Sequence, residues 1–338
     1  MFVTVQFGGD SFMAKRKVSG IFLLDKPEGI SSSGALVKCR GIFSAMKGGH
    51  TGALDPLASG LLPICLGDAA KFSSFFLEGR KRYIAEGTLG KTTTTCDREG
   101  EIVLERDIGD ALERLESVLE KFRGTITQVP PIYSAIKVNG KALYQYARQG
   151  REDEIEIPKR EVEILELKLL ETTATTFKIE VYCSKGTYIR TLVSDIGEAL
   201  GCGAYVTMLR RTYVEGLPAG KMTELAAIKE LADSRQNKSD FSELDKLLIP
   251  VDEALNNLPK VHIPLSMADP LSHGMKQGKD LSLCTLPEGG LKANDIFQVR
   301  YNGYFMGVCY LSEDGYITPK RMMDPESFAA FVKSESKS

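Results

Sequence analysis

Asp55 is the one acid in a run of glycine, proline and mostly apolar residues from Gly48 to Pro63. Pro56 follows it, and proline biases the preceding residue away from helical backbone, so the acid is expected on an extended or turn segment. A carboxylate fixed there among apolar neighbours is poorly solvated, which costs stability unless a cation or hydrogen bonds compensate. Groups of that kind concentrate where proton transfer or nucleophilic attack is done. The plainer alternative is an Asp that caps the turn after Thr51-Gly52, since Asp and Pro are ordinary turn residues.

A second group of residues suits a different task. Residues 130–151 contain Lys137, Lys141, Arg148 and Arg151, no acid, and the interleaved rings Tyr133, Tyr144 and Tyr146. Cations for phosphates and rings for bases are what an RNA-contacting surface needs. A solvated helix face is the competing reading. The net charge of −2 argues against a generally basic nucleic-acid binder, but the distribution of charge matters more than its sum. The acidic excess lies elsewhere, at 152–156 and 240–253.

Metal and redox chemistry find little support. The seven cysteines are scattered, odd in number and include no C-x-x-C pair. They read as reduced thiols of a cytoplasmic protein, neither a disulfide framework nor a zinc site. His50, His262 and His273 have no ligand-like spacing with them, so no metal is expected. No apolar run approaches the roughly 18–20 residues that span a bilayer. Residues 1–18 lack a secretory h-region and read as an extension, disordered or mis-started, with Met13 an alternative start.

The elements that must position these residues are legible in outline. With 338 residues there is room for two domains. Gly20–Lys26 is an apolar run stopped by Pro27, read as a strand. Ser31–Ser33 can cap a helix over roughly 33–46, with Leu36, Cys39, Phe43 and Met46 on one face. Tyr83–Leu89 reads as a strand. Residues 109–123 form an amphipathic helix closed by Gly124. Residues 161–169 alternate with a slip at Ile164-Leu165 that implies a bulge, and Phe177–Val181 alternate as a partner strand. Thr187–Leu200 looks helical, with Gly201 closing it. Residues 233–249 read as a polar linker. Beyond it, Tyr301-Asn302-Gly303 between apolar runs signals a hairpin in a small β-rich unit. Without regular βαβ alternation, these elements give an α+β fold around a mixed, mainly antiparallel sheet.

The run from Gly49 to Pro63 resembles the catalytic motif of the TruB family, the tRNA pseudouridine synthases that act on the T-loop uridine. That motif reads G-H-T-G-x-L-D-P-x-A-x-G-x-L-P, and every fixed position is met. The continuation Ile64–Phe72 also resembles the family, with Ala70 where Thr is common. Lys81-Arg82-Tyr83 with Gly90, Thr93, Thr95, Asp97 and Gly100 is similar to a second family stretch. Cys183-Ser184-Lys185-Gly186-Thr187-Tyr188-Ile189-Arg190 and Leu209-Arg210-Arg211 match two more. The resemblance covers residues 20 to about 215. Beyond that, the C-terminal unit resembles a PUA-like RNA-binding appendage in texture and position alone.

The resemblance implies a pseudouridine synthase catalytic domain over 19–250, an RNA-gripping insertion at 130–159, a PUA-like domain over 251–325 and a tail at 326–338. It implies an isomerisation without cofactor, because no redox change occurs and no group leaves the RNA. Asp55 would be the catalytic carboxylate. Arg190 would be its counter-ion, keeping it ionised and holding its carboxyl below the usual range. Tyr83 would stack on the target base and is a candidate for proton transfer. Leu209 would be the apolar wall opposite. His50 would fill the gap left by a flipped-out base. Asp97 and Lys71 would be supporting or RNA-contacting groups, and Tyr188, Lys137, Lys141 and Arg148 would also meet substrate. The T-arm of tRNA is then the partner. No second protein is called for, and nothing demands more than a monomer.

Two nucleotide-binding rivals fail on spacing. Gly90-Lys91-Thr92 ends like a Walker A motif, but Ala85 stands where its first glycine belongs. Gly201-Cys202-Gly203 begins like a dinucleotide fingerprint, but Val206 occupies the last glycine position. A non-catalytic tRNA-binding or folding module is the remaining alternative. A guide-RNA-dependent branch of the same superfamily is a third, against which the 130–159 insertion speaks.

Overall fold

The computed structural model describes residues 15–134, 136–278 and 281–336. Its main feature is a ten-stranded mixed sheet. Along the main path lie Thr223–Glu224, Gly20–Lys26, Ser59–Leu66, Ala204–Val214, Lys81–Leu89, Thr176–Cys183, Arg160–Thr172 and Gly124–Gln128. Pairing is antiparallel except where Ala204–Val214 meets Ser59–Leu66 and where Thr223–Glu224 meets Gly20–Lys26. The bulge expected near Ile164-Leu165 is present as a register shift between Ile164 and Glu166.

The central strands are buried on both faces, which is why they read as continuous apolar runs. Phe22, Leu24, Leu62 and Ile64 join a core with the helices Ser32–Ile42, Ala111–Leu119 and Ile189–Leu200. The alternate residues Ile21, Leu23, Leu61 and Cys65 face a second core that includes Phe305 and Val308 of the C-terminal unit. Phe72 and Phe305 bring their rings to 5.6 Å across that boundary. The C-terminal unit is a four-stranded sheet of Lys260–His262, Ile296–Tyr301, Tyr304–Leu311 and Ile317–Met322. Asn302 and Gly303 make the expected hairpin turn with φ of 43° and 81°.

Four expectations change. The helix capped by Ser31 ends at Ile42, because Ser44 takes a left-handed φ of 49°, and Met46 is exposed. Residues 233–249 are not a free linker: Phe241 and Leu244 are buried, and Leu248–Ile249 pair with the first strand. Of residues 1–18, positions 1–14 lie outside the described residues. The rest are tied down, with Arg16 pairing with Asp245 and stacking on Phe241. The tail begins as a helix, Pro325–Glu335, whose Phe328 is buried against the C-terminal sheet.

The insertion has a simple origin. Gln128 and Arg160 are register partners, so residues 129–159 are an enlarged connection between two antiparallel neighbours. It carries the hairpin Lys137–Val138/Lys141–Ala142 and the short helix Leu143–Ala147.

Gly60 fixes how the Asp55 loop joins the sheet. It pairs with Lys26 on one side and Arg211 on the other, at φ 98°. A Cβ there would stand 2.2 Å from the Arg211 carbonyl oxygen. Gly60→Ala is expected to cost at least about 1–3 kcal/mol, the usual cost of a backbone forced into a disfavoured region. A urea-unfolding midpoint equal to that of the parent would contradict this packing.

Candidate active site

Asp55 lies on irregular backbone between the short strand Gly48–His50 and Ser59–Leu66, as the Asp-Pro step demands. Three anchors hold this loop. The Ser32 hydroxyl accepts from Leu54 N at 2.7 Å and donates to Leu54 O at 2.9 Å. Lys26, at the end of the first strand, donates to the carbonyls of Pro27, Ile30 and Pro56. Arg211 donates to Gly52 O at 2.9 Å.

Arg190 reaches Asp55 from the first turn of the helix Ile189–Leu200. Its Nε lies 2.9 Å from Asp55 Oδ2. Its Nη1 donates to Asp97 Oδ2 at 3.2 Å and to Thr95 O at 2.9 Å, and its Nη2 to Tyr133 O at 2.9 Å. The guanidinium is thus buried and fully engaged. A helix N-terminus disfavours a cation, and the two carboxylates drawn to the same end offset that. Gln128 ties down the start of the helix by bonding both the backbone N–H and carbonyl of Tyr188.

Around this pair opens a cleft of about 670 Å³. Asp55, Tyr83, Asp97, Arg148, Tyr188, Arg190 and Leu209 all line it. Asp97 is nearly inaccessible and accepts from Thr95 and Arg190, so it supports the site and its reading as an RNA contact falls away. Lys71 is elsewhere: it pairs with Asp68 at 2.9 Å and donates to Met322 O, at the boundary with the C-terminal unit. Lys137 and Lys141 are on the exposed hairpin of the insertion, away from the cleft lining. His50 ends its strand beside the loop, also outside the lining, and its Nδ1 is buried without a partner among the described residues.

Electrostatics correct one expectation. The Asp55 side chain keeps 39% of its surface because it faces the cleft, yet the walls displace enough water to raise its pKa above the ordinary value. Arg190 pulls in the other direction and Asp97 adds to the rise; burial wins. Burial also raises the Tyr83 phenol, so it remains protonated at neutral pH and can donate but is no ready base. Burial and then the Arg211 charge lower His50, leaving it a neutral planar ring. Lys81, bonded to the carbonyls of Leu77 and Gly79, is lowered to about 8 chiefly by burial.

Sequence reasoning passed over Lys26, Thr95 and Arg211 as site residues. The signal was strand alternation. Lys26 is in phase with the buried Phe22 and Leu24, and Arg211 with Leu209, so each side chain shares a face with core or cleft residues. A cation in a buried phase is the departure that marks such a position.

Known proteins bear on this cleft. Residues 40–189 match the TruB family pseudouridylate synthase (N terminal domain), and 190–256 match the tRNA pseudouridylate synthase B C-terminal domain. The chain is 46% identical over 312 residues to the tRNA pseudouridine synthase B of Vibrio parahaemolyticus, covering 91% of this chain and 96% of that one. It is 49% identical over 261 residues to the protein of that name from Haemophilus influenzae, covering 77% and 82%. In fold it resembles a chain in the crystal structure of a Cbf5-Nop10-Gar1 complex, with a TM-score of 0.67, 24% identity and coverage of 91% and 86%. Fold and sequence together define a pseudouridine synthase, an isomerase. The chain belongs to the TruB family.

The raised Asp55 pKa has a kinetic signature. An acid that must be ionised to act loses activity as pH falls through its pKa. The acid limb of kcat/KM should therefore lie above the ordinary Asp value of about 3.9. A limb at or below that value in a rapid-quench pH series, with the protein still folded, would show that Arg190 outweighs burial.

Proposed function

We propose that this protein converts the T-loop uridine of tRNA to pseudouridine, acting alone in the cytoplasm, with Asp55 as catalytic carboxylate. The observation that carries the reading is the buried Arg190 paired with Asp55 in the lining of a cleft of about 670 Å³.

The reaction breaks the bond between ribose C1′ and uracil N1, turns the base and joins C1′ to C5. The C5 proton is lost and N1 gains one, so atoms and charge balance without a cofactor. Asp55 supplies the ionised oxygen that engages the nucleoside. Arg190 fixes its direction by an ion pair of 2.9 Å to one carboxylate oxygen. Tyr83 offers a face on which uracil stacks, worth ~1–3 kcal/mol per base, and this retains the base while it is detached. Leu209 closes the other side and helps exclude water. The target base must leave the stack of its RNA loop, at a cost of a few kcal/mol. His50, planar and uncharged, suits the space that the base vacates.

Binding rests on the insertion and the C-terminal β unit, which we read as PUA-like. Tyr133, Tyr144 and Arg148 turn toward the cleft, while Lys137 and Lys141 stand outside it. Arg151 pairs with Glu154 and is the least available of the four cations. A binder without chemistry would have no use for a carboxylate whose burial opposes its ionisation.

Incubation with an unmodified tRNA transcript and no cofactor should give one new carbodiimide-dependent primer-extension stop, at the T-loop uridine. Asp55→Asn should abolish the stop and leave tRNA affinity within a few fold. Absence of the stop with the parent protein, despite tight binding, would favour a binding module or a missing guide.

Replacing Lys137, Lys141 and Arg148 with Ala should weaken tRNA binding and flatten its salt dependence, by a slope of up to about 0.7–0.9 for each phosphate that is no longer neutralised. An unchanged slope would take the insertion's cations out of the interface.

A further inference from the structure

Arg211 has a position that the chemistry above does not use. It is on the strand Ala204–Val214, between Gly60 on one neighbouring strand and Tyr83 on the other, as register partner of both. Only 1% of its surface is accessible, yet it contributes to the cleft wall. Its Nε donates to Leu61 O at 2.7 Å and its Nη2 to Gly52 O at 2.9 Å. Its Nη1 approaches the Cα side of Gly52, where a Cβ would stand 3.2 Å away. Every acceptor in these bonds is a neutral carbonyl. Among the described residues Arg211 forms no ion pair with a carboxylate, in contrast to Arg190, which has two.

An unpaired buried guanidinium is expensive, since neutral carbonyls repay less of its lost hydration than an opposite charge would. Joining one loop carbonyl and one strand carbonyl does not require a net charge; a neutral amide donates two N–H bonds. The positive charge therefore calls for a use beyond bracing. Its charge is felt by Lys81 and Tyr83 in the cleft wall and by His50 and Lys26 beside it: it lowers the affinity of His50, Lys26 and Lys81 for protons and pulls the Tyr83 hydroxyl against its burial.

The substrate chemistry supplies the missing opposite charge. When the C1′–N1 bond breaks heterolytically, both electrons go to uracil, and the negative charge spreads over N1, O2 and O4. That charge exists only along the reaction path, so a fixed cation nearby stabilises it there more than in the ground state. Arg211 is too enclosed to touch the base. Tyr83, its cross-strand neighbour in the cleft wall, is the group between them.

We propose that Arg211 is a positioning residue with two tasks: it ties the Asp55 loop, at the Gly52 carbonyl, to the strand that follows it, at the Leu61 carbonyl, and through the Tyr83 hydroxyl it presents positive charge to the detaching uracil. This rests on the functional reading above.

The test compares Arg211→Gln, which keeps N–H donors and loses the charge, with Arg211→Lys, which keeps the charge and loses the fork. Single-turnover rates at saturating tRNA, tRNA Kd and the His50 imidazole titration by NMR are measured on the full chain. In Arg211→Gln the rate should fall by about 100-fold, the low end of what losing a preorganised group that stabilises transition-state charge costs, while Kd stays within a few fold. His50 should titrate at a higher pH than in the parent. Arg211→Lys should recover at least about ten-fold of the lost rate and leave His50 near its parent titration. Equal rates in the two variants, or an unchanged rate in Arg211→Gln, would reduce Arg211 to a brace and overturn the proposal. If Arg211→Gln does not fold, Arg211→Lys decides: a rate within about ten-fold of the parent supports the charge, and a loss of about 100-fold or more at full binding refutes it. If the parent itself makes no pseudouridine, the functional reading fails instead, and the catalytic task falls with it. The loop clamp is then judged alone by unfolding of the two variants.

Discussion

Three segments around the cleft converge on the guanidinium of Arg190. Its four bonds go to three separate segments: the Asp55 loop, the turn at Thr95–Asp97 and the Tyr133 end of the insertion. A planar fork of donors can satisfy such a set only if each acceptor comes from a fixed direction. The sheet and the helix Ile189–Leu200 are what fix those directions. Ile189, Leu192, Val193 and Ile196 bury one side of that helix in the main core, and Gly201 ends it with a φ of 88°. A displacement of this helix would move Arg190 relative to all four acceptors at once.

The same convergence carries a thermodynamic cost. Asp55 has a pKa raised by folding, so its contribution to stability is fully present below the unfolded pKa and is lost as pH rises through the folded value. At neutral pH the ionised carboxylate thus opposes folding, in spite of its salt bridge. Arg190 reduces that cost without cancelling it, because burial outweighs its pull and the neighbouring Asp97 charge adds to the rise.

Much of this was legible in the residues, for reasons that differ from place to place. Asp55 could be read because proline constrains the backbone before it, and the surrounding glycines and apolar residues leave it alone as the charge. The bulge after Ile164 could be read because a strand has a strict period of two. Residues 233–249 misled, because their polar texture hides two buried anchors, Phe241 and Leu244, spaced for a single turn. Lys71 misled too: a cation following the motif can serve a domain boundary as well as a substrate. The direction of the Asp55 pKa was illegible in principle. Sequence identifies the counter-ion, but desolvation depends on how closely the whole cleft surrounds the carboxylate.

The insertion links binding to chemistry by a route that charge alone does not provide. Its two ends are held one strand apart by the pair Gln128–Arg160, and that same Gln128 bonds the backbone of Tyr188, two residues before Arg190. From the insertion's first segment, the Tyr133 carbonyl then accepts from Arg190 itself. A rearrangement of this connection on meeting RNA would therefore act on the guanidinium that aims Asp55, through one backbone carbonyl and one amide side chain. Basic residues at the far end of the insertion, Lys137 and Lys141, sit on a two-strand hairpin whose ladder is only two residue pairs long. A short ladder yields easily to a partner's shape, whereas the Gln128 end is part of the main sheet and does not. The insertion is thus graded from a short two-strand hairpin at its tip to a root fixed in the main sheet, where Arg190 is held.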